Sequence, residues 1–328
     1  MSGNQNTTPM LSIDQAVKIL LAGGIVAIPT ETVYGLAGNA SNPESIKKIF
    51  KAKGRPENHP LIVHISSFDE IYLWAKVVPE KAKVLAKKFW PGPLTMVLAK
   101  ADSVNYSITG GQETVAIRVP NQKLTLEILK KMGTGVAAPS ANRFGHVSPT
   151  MPSHVLEELD GLIDGVVDGG QCEVGIESTI VDLTSDTVRL LRPGRISIDE
   201  LELCLGEKIS INSVNAPRVP GLLKSHYAPN TPLKIIDYNQ LDTEINNYIK
   251  KGFSINIWSQ HKPKIENPLL FWIQAPKDPI QFAHDLYDQI RKFDKNHSDI
   301  ILIEKPSIEN NAWQGVLDRL TRAQAHFE

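Results

Sequence analysis

The stretch Ile28-Pro29-Thr30-Glu31-Thr32-Val33-Tyr34-Gly35-Leu36 places two hydroxyls, a carboxyl and a phenol close together. It directly follows an apolar run, Ile25 to Ile28, that begins after a Gly-Gly turn and predicts a buried strand. Strand ends of this kind are common ligand-binding positions in open α/β sheets. A threonine-rich turn is the plainer interpretation, since Ser and Thr favour turns. Polar groups at the ends of other predicted strands would favour a binding segment.

Positively charged and hydroxylated side chains do recur at the ends of other predicted elements. The cations are Lys53, Arg55, Arg118, Arg143 and Arg192, and the hydroxyls are Thr30, Thr32, Thr114, Ser140, Ser148 and Ser178. Guanidinium groups and hydroxyls suit phosphate and carboxylate oxygens. A site built from them can catalyse displacement at phosphorus by positioning and charge stabilisation, without a covalent intermediate. The sequence contains no nucleophile elbow, Walker loop or H-E-x-x-H motif that would favour another chemistry.

The order of predicted elements indicates an α/β protein of two domains. Residues 1–206 show about six strands and four or five helices in mixed order, which predicts one twisted mixed sheet. Residues 207–232, rich in Asn, Pro, Gly and Ser, predict a linker. Residues 233–328 alternate strands with helices, which predicts a small doubly wound, Rossmann-like domain.

Composition excludes several functional classes. The 328 residues carry a net charge of −1, so neither domain is expected to grip a nucleic-acid backbone by charge alone. The two cysteines are too few for a zinc module or a disulfide framework. Apolar runs are too short to span a bilayer, and the polar N-terminus is unlike a secretory signal. These features predict a cytoplasmic protein that does not contact membranes.

Taken together, the motifs resemble the YrdC-type threonylcarbamoyl-AMP synthases, in their long form with a C-terminal extension. The matching segments are Pro29 to Leu36, Lys53-Gly54-Arg55-Pro56, His59 to His64, Trp90 to Thr95, Ala116-Ile117-Arg118, Pro139 to Asn142, Gly175 to Thr179, Leu191 to Gly194 and His226 to Pro229. Their order and spacing agree with the family over roughly the first 230 residues. The C-terminal match is weaker and rests mostly on Gly315 to Leu320.

The resemblance implies a nucleotidyltransferase that converts L-threonine, bicarbonate and ATP into threonylcarbamoyl-AMP and pyrophosphate. Mg²⁺ would accompany ATP, although the resemblance does not say which residues hold it. The product would pass to the tRNA threonylcarbamoyl transferase machinery, which modifies the adenosine beside the anticodon. The resemblance also allows a weak contact with tRNA.

The resemblance also implies roles for individual residues. L-threonine would be held by Thr32, His64, Arg118, Ala138 and Ser178, and ATP by Arg55, His59, Thr114, Ser140, Ser148, Arg192 and Tyr227. Lys53, Arg55 and Arg118 would act in catalysis, with Lys53 near the phosphates. The family has Asn as well as His at position 59. Because Tyr227 lies in the linker, the linker is expected to fold over the active site and to shield the nucleotide.

Two other functions stay open at this point. An RNA-binding module is the first, although few aromatics and a balanced charge do not favour it. Carbamoyl transfer in hydrogenase maturation is the second, but that reaction uses Cys-x-x-Cys zinc motifs that this sequence lacks. From the residues alone, His64 would be an ordinary core histidine, since it lies in an apolar strand.

Overall fold

The apolar run that begins at Ile25 forms a strand of a nine-stranded mixed sheet. The structure, a computed structural model, describes residues 7–211, 215–306 and 310–327. Residues 212–214 of the predicted linker and residues 307–309 and 328 of the predicted C-terminal domain therefore lie outside it. The chain divides into two compact units, and it passes from the first to the second between Leu222 and Leu223, inside the predicted linker.

The sheet of the first unit has the order β7-β1-β2-β6-β3-β5-β4-β8-β9. Its strands are β1 (Ile25–Ile28), β2 (Gly35–Asn39), β3 (Ile62–His64), β4 (Leu94–Ala99), β5 (Thr114–Arg118), β6 (Val136–Ala137), β7 (Gly165–Val166), β8 (Thr179–Asp182) and β9 (Arg189–Arg192). β3 pairs in parallel with β5, and β4 pairs in parallel with β8, whereas β1 with β2 and β4 with β5 are antiparallel. The predicted twisted mixed sheet is confirmed.

Helices cover the sheet, and most of them begin at a residue whose side chain caps the first turn. They are α1 (Ile13–Leu21), α2 (Pro43–Lys53), α3 (Glu80–Phe89), α4 (Tyr106–Thr109), α5 (Lys123–Met132), α6 (Pro152–Leu159) and α7 (Ile198–Leu205). Helix α2 begins at the Asn42 cap and ends at Gly54, whose φ of 63° is the left-handed value that favours glycine. This end places Lys53 and Arg55 on either side of a sharp turn.

The sequence prediction missed strand β2. The segment 29–34 follows the end of β1, as expected, and it is a loop that joins β1 to the antiparallel β2, with Ile28 opposite Gly35. β2 contains two glycines, and glycine is depleted in strands, so its sequence did not show the residue pattern of a strand. Gly38 allows close packing there, because a Cβ atom would lie 3.0 Å from Ile49 Cδ1 of helix α2 and would push that side chain aside.

The second unit contains a four-stranded parallel sheet with the order β10-β13-β11-β12. Its strands are β10 (Leu233–Ile236), β11 (Ile255–Ser259), β12 (Leu270–Gln274) and β13 (Ile300–Glu304), and its helices are α8 (Leu241–Lys250), α9 (Pro279–Lys295) and α10 (Gln314–Gln324). The predicted small α/β domain is thus confirmed. Gly145–Val147 also belongs to this unit, where the Ala228 amide donates to the Gly145 carbonyl. Within the described ranges, none of the helices combines the length and apolar character needed to cross a bilayer.

Candidate active site

The two faces of the large sheet differ in character. One face packs against helices through residues such as Val63 and Ile117. The other face packs against helices α1 and α5 over β1, β2 and β6, and beyond these strands it has a small apolar floor formed by Ile62, Val97, Ala116, Ile180 and Leu191. Side chains alternate between the faces along a strand. The face with Ile62 and Ala116 therefore also carries His64 and Arg118.

His64 and Arg118 are the last residues of β3 and β5, so this placement agrees with the sequence-based expectation of a site at strand ends. His64 and Arg118 lie opposite each other in the parallel pair of β3 and β5. The loop between β1 and β2 reaches them, because Arg118 Nη1 donates to Thr32 Oγ1 over 3.0 Å. Because β3 and β5 are parallel, their carboxyl ends lie at the same edge of the sheet, and the loop after β1 brings Thr32 to them.

Arg118 is held on three sides. Besides its bond to Thr32, its Nε donates to the Gly92 carbonyl over 3.2 Å. Its Nη2 lies 2.7 Å from Glu31 Oε2, and both side chains are almost wholly buried. A buried ion pair of this kind orients the guanidinium and neutralises it at once.

Thr30 fixes the loop that carries Glu31 and Thr32. Its hydroxyl donates to the Val33 carbonyl over 2.6 Å and lies 2.8 Å from Thr32 Oγ1. It also accepts from the amides of Thr32 and Val33. The loop is therefore a turn stabilised by a hydroxyl, as the plainer sequence interpretation expects, and its role in binding stays a prediction.

Ser178 lies close to Arg192, which joins a residue predicted to bind threonine to one predicted to bind ATP. Arg192 Nη2 donates to the Ser178 carbonyl over 2.9 Å and to its Oγ over 3.1 Å. Thr95 Oγ1 lies 2.8 Å from Ser178 Oγ. Arg192 Nη1 also donates to the Pro220 carbonyl over 3.0 Å, and Val219 packs on the apolar floor. This part of the predicted linker therefore lies over the face that carries the site.

Lys53 ties the end of helix α2 to the loop after β6. Its Nζ donates to the carbonyls of Ser140 and Asn142 over 2.6 and 2.5 Å. Burial lowers the pKa of Lys53 well below its usual value, and the charge of nearby Arg55 lowers it further. Keeping the buried amine protonated therefore costs free energy. Phosphates bound nearby would reduce that cost, because negative charge favours the protonated amine.

The loop after β6 runs beside the start of β2. The Leu36 amide donates to the Pro139 carbonyl over 2.7 Å, and Gly35 pairs with Ser140. Ala138, which is buried, therefore lies between the two predicted binding segments. Ser148, farther along the same loop, donates its hydroxyl to Glu177 Oε1 over 2.5 Å.

Arg55 and His59 share one aromatic neighbour. The Arg55 guanidinium lies 5.8 Å from the ring centre of Phe144, and the His59 ring meets the same ring edge-on at 5.3 Å. Arg55 Nη2 also donates to the Pro60 carbonyl over 2.9 Å. Burial and the charges of Arg55 and Arg218 lower the pKa of His59.

Two of the residues predicted to bind ATP, Thr114 and Tyr227, make none of the contacts described above. Thr114 begins β5 and shares a face with Arg118, but lies about 13 Å away along the strand. Tyr227 belongs to the second unit, where its ring stacks on Tyr287 with centroids 5.8 Å apart and faces the Arg319 guanidinium at 5.3 Å. The contact of Tyr227 with ATP, and the closure of the linker over it, stay predictions.

Comparison with known proteins gives the family. Residues 18–194 match the model of the Sua5, YciO and YrdC family, described as telomere recombination. Residues 196–325 match the model described as the threonylcarbamoyl-AMP synthase C-terminal domain. The chain belongs to the threonylcarbamoyl-AMP synthase family.

Individual relatives extend over nearly the whole chain. The threonylcarbamoyl-AMP synthase of Pyrococcus abyssi is 36% identical over 322 residues, which are 95% of this chain and 93% of the relative. That of Bacillus subtilis is 38% identical over 320 residues, covering 95% and 92%. The crystal structure of P. abyssi Sua5 complexed with L-threonine superposes with a TM-score of 0.89 over 96% of this chain and 94% of that one, at 36% identity. The suspected family, the fold and the enzyme class are therefore confirmed, in preference to an RNA-binding module.

Two buried carboxylates of this family member, Glu31 and Glu177, received no role from the sequence. Both lie beside residues that the resemblance did select, Arg118 and Ser148. Glu31 carried a usable signal, because a charged residue inside an otherwise buried stretch needs a partner.

His64 should make folding of this family member sensitive to acid. Burial and the neighbouring Arg118 lower the pKa of His64 to about 3, whereas in the unfolded chain it is about 6.5. Between pH 6.5 and pH 3 the His64 side chain binds a proton in the unfolded chain but not in the folded one. The stability that depends on neutral His64 is therefore fully present above pH 6.5 and is lost as the pH falls. From pH 7 to 5 this one residue should lower the free energy of unfolding by about 2 kcal/mol. Urea unfolding of the wild type and of His64→Gln at both pH values measures the difference, and equal losses in the two proteins would contradict it.

Proposed function

We propose that this threonylcarbamoyl-AMP synthase binds L-threonine, bicarbonate and ATP, and releases threonylcarbamoyl-AMP and pyrophosphate. The observation that carries the proposal is the buried cluster of Thr32, Arg118, Ser178 and Arg192 on one face of the sheet. The cluster contains one guanidinium suited to a carboxylate, that of Arg118, and a second suited to phosphate, that of Arg192. The P. abyssi relative was crystallised with L-threonine, which supports the first substrate.

In the proposed reaction, Arg118 pairs with the carboxylate of threonine, while His64 and Ser178 contact the rest of the molecule. His64 is neutral at physiological pH, so it would donate or accept a hydrogen bond without adding charge. The threonine ammonium first loses a proton to solvent, and the resulting amine then condenses with bicarbonate, by way of CO2, to give a carbamate and water. One oxygen of the carbamate is already anionic, so it can attack the α-phosphate of ATP without a protein base.

The protein's part in this attack would be electrostatic. Lys53, Arg55 and Arg192 would neutralise the charge that develops as pyrophosphate leaves. Lys53 is fixed by two carbonyls before any nucleotide arrives, so it needs little reorganisation. Val219 and the neighbouring linker residues would restrict water at the same face.

Magnesium is proposed as the ion that accompanies ATP. Among the described residues, no group of three or more His, Cys, Asp or Glu side chains could hold a metal by itself. Mg²⁺ is usually bound by one or two carboxylates together with substrate phosphates and water. Glu177 and the hydroxyl of Ser148, which contact each other, fit that smaller donor set. When bound, the ion would neutralise phosphate charge.

The proposal has three further parts. The product is delivered to the tRNA threonylcarbamoyl transferase machinery, the enzyme makes a weak contact with tRNA, and it is located in the cytoplasm. They follow from the family's role in tRNA modification.

Pyrophosphate release tests the substrates. Purified enzyme with ATP and Mg²⁺ should release pyrophosphate only when L-threonine and bicarbonate are both present. Omission of either one should reduce the rate to the background of the buffer, and L-alanine in place of threonine serves as a matched control. Release that is independent of threonine would overturn the substrate assignment, and release that is independent of bicarbonate would overturn the carbamate step.

A further inference from the structure

Glu31 is buried at the centre of the site, but the proposed reaction does not yet use it. Its Oε2 lies 2.7 Å from Arg118 Nη2, and each side chain is only about 3–4% exposed. The two atoms approach without the angle of a directed hydrogen bond. Neither carboxylate oxygen of Glu31 accepts a directed hydrogen bond from any residue in the described part of the chain. Burying unused acceptors is costly, which suggests that a ligand fills them.

Arg118 has an unused hydrogen-bond donor, which is complementary to the unused hydrogen-bond acceptors of Glu31. Arg118 Nη2 has a proton to donate, while Glu31 can only accept. An α-amino acid carries one group of each kind, a carboxylate that accepts and an ammonium that donates. If it lay between the two side chains, each of its charged ends would meet an opposite charge, and the buried cluster would stay neutral.

We propose that Glu31 binds the α-ammonium group of the substrate amino acid, and that it thereby selects amino acids over other carboxylic acids. This inference rests on the proposed binding of L-threonine. Before binding, Glu31 occupies Arg118. A ligand with only a carboxylate would displace Glu31 and leave its buried charge unpaired, whereas an amino acid supplies a new partner for it. Selection therefore results from the cost of leaving Glu31 unpaired as well as from its attraction to the ammonium group.

The competing explanation is that Glu31 only holds Arg118 in place. The two explanations differ in their response to a ligand without the amine. (3R)-Hydroxybutanoate is threonine with the amine replaced by hydrogen, so it retains the carboxylate and the hydroxyl. If Glu31 only positions Arg118, Glu31→Gln should weaken both ligands equally. If Glu31 binds the ammonium, the substitution should weaken threonine alone.

Isothermal titration calorimetry on the full-length protein tests the proposal, with L-threonine and (3R)-hydroxybutanoate as the two probes. Glu31→Gln should lower the affinity for threonine about 10- to 100-fold, the loss of one charge-assisted contact. Its affinity for hydroxybutanoate should stay unchanged or rise. Glu173→Gln, which alters an exposed neighbour, should bind both ligands as the wild type does. Glu31→Asp keeps the charge, so it should keep the preference for threonine if the glutamine variant fails to fold.

The outcomes separate this inference from the proposed function. A wild-type protein that does not bind threonine would overturn both. A wild type that binds threonine, with Glu31→Gln weakening the two probes in parallel, would overturn only the role of Glu31. Loss of the preference in Glu173→Gln would also count against it, because the effect would then not be specific to the buried carboxylate.

Discussion

Replacing Arg118 by methionine is expected to reduce threonine-dependent pyrophosphate release about 100-fold or more, and to destabilise the first unit. The loss of activity is expected because the proposal pairs this buried guanidinium with the substrate carboxylate, and losing such a pair typically costs about 2–5 kcal/mol or more. The loss of stability has a separate cause. Glu31 would be left buried without its partner, at a cost of about 3–5 kcal/mol in the free energy of unfolding.

A second variant separates the two effects of the Arg118 substitution. In Arg118→Met/Glu31→Gln both charges are absent, so most of the stability should return, because removing a whole buried pair is often nearly neutral. Pyrophosphate release should stay low. Urea unfolding and the release assay measure the two quantities on the same preparations. If activity returned together with stability, the role of Arg118 would be structural, and the proposed contact with threonine would be wrong.

Lys53→Met is expected to reduce kcat/KM for ATP about 100- to 1000-fold, the usual effect of losing one preorganised donor at a developing charge. Threonine affinity should change little, because Lys53 contacts the loop after β6 and not the cluster around Arg118. Steady-state release with ATP varied, together with calorimetry for threonine, measures both.

Lys51 provides the control for the Lys53 substitution. It lies one half-turn earlier on helix α2, with its side chain exposed. Lys51→Met should leave both kcat/KM and threonine affinity within about twofold of the wild type, as is usual for exposed substitutions. If Lys51→Met and Lys53→Met lost activity to the same extent, a general effect of positive charge on the helix would replace the specific role of Lys53.

The α/β class and the second domain could be predicted from local patterns. Strands such as Leu94–Ala99 and Ile300–Glu304 are apolar runs bounded by turn residues, and helix α2 has an Asn cap and a Gly stop. β2 could not be predicted, since Gly35 and Gly38 serve close packing that only the folded chain reveals.

The site was harder to predict than the fold, because its contacts join distant parts of the chain. Thr32 meets Arg118, and Lys53 meets Ser140, across gaps that no local pattern bridges. The residues were identified by resemblance, which supplies long-range information indirectly. The position of Arg118 at the end of an apolar run was readable from the sequence alone, and it indicated a site at strand ends, where the structure places His64 and Arg118.

A crystal structure of this protein with L-threonine, Mg²⁺ and a non-hydrolysable ATP analogue tests the central claim most directly. The threonine carboxylate should lie within hydrogen-bonding distance of Arg118, with its amine at Glu31. The triphosphate should extend over the same face of the sheet toward Lys53 and Arg192. Threonine and nucleotide found in separate cavities, or on the opposite face of the sheet, would contradict the account.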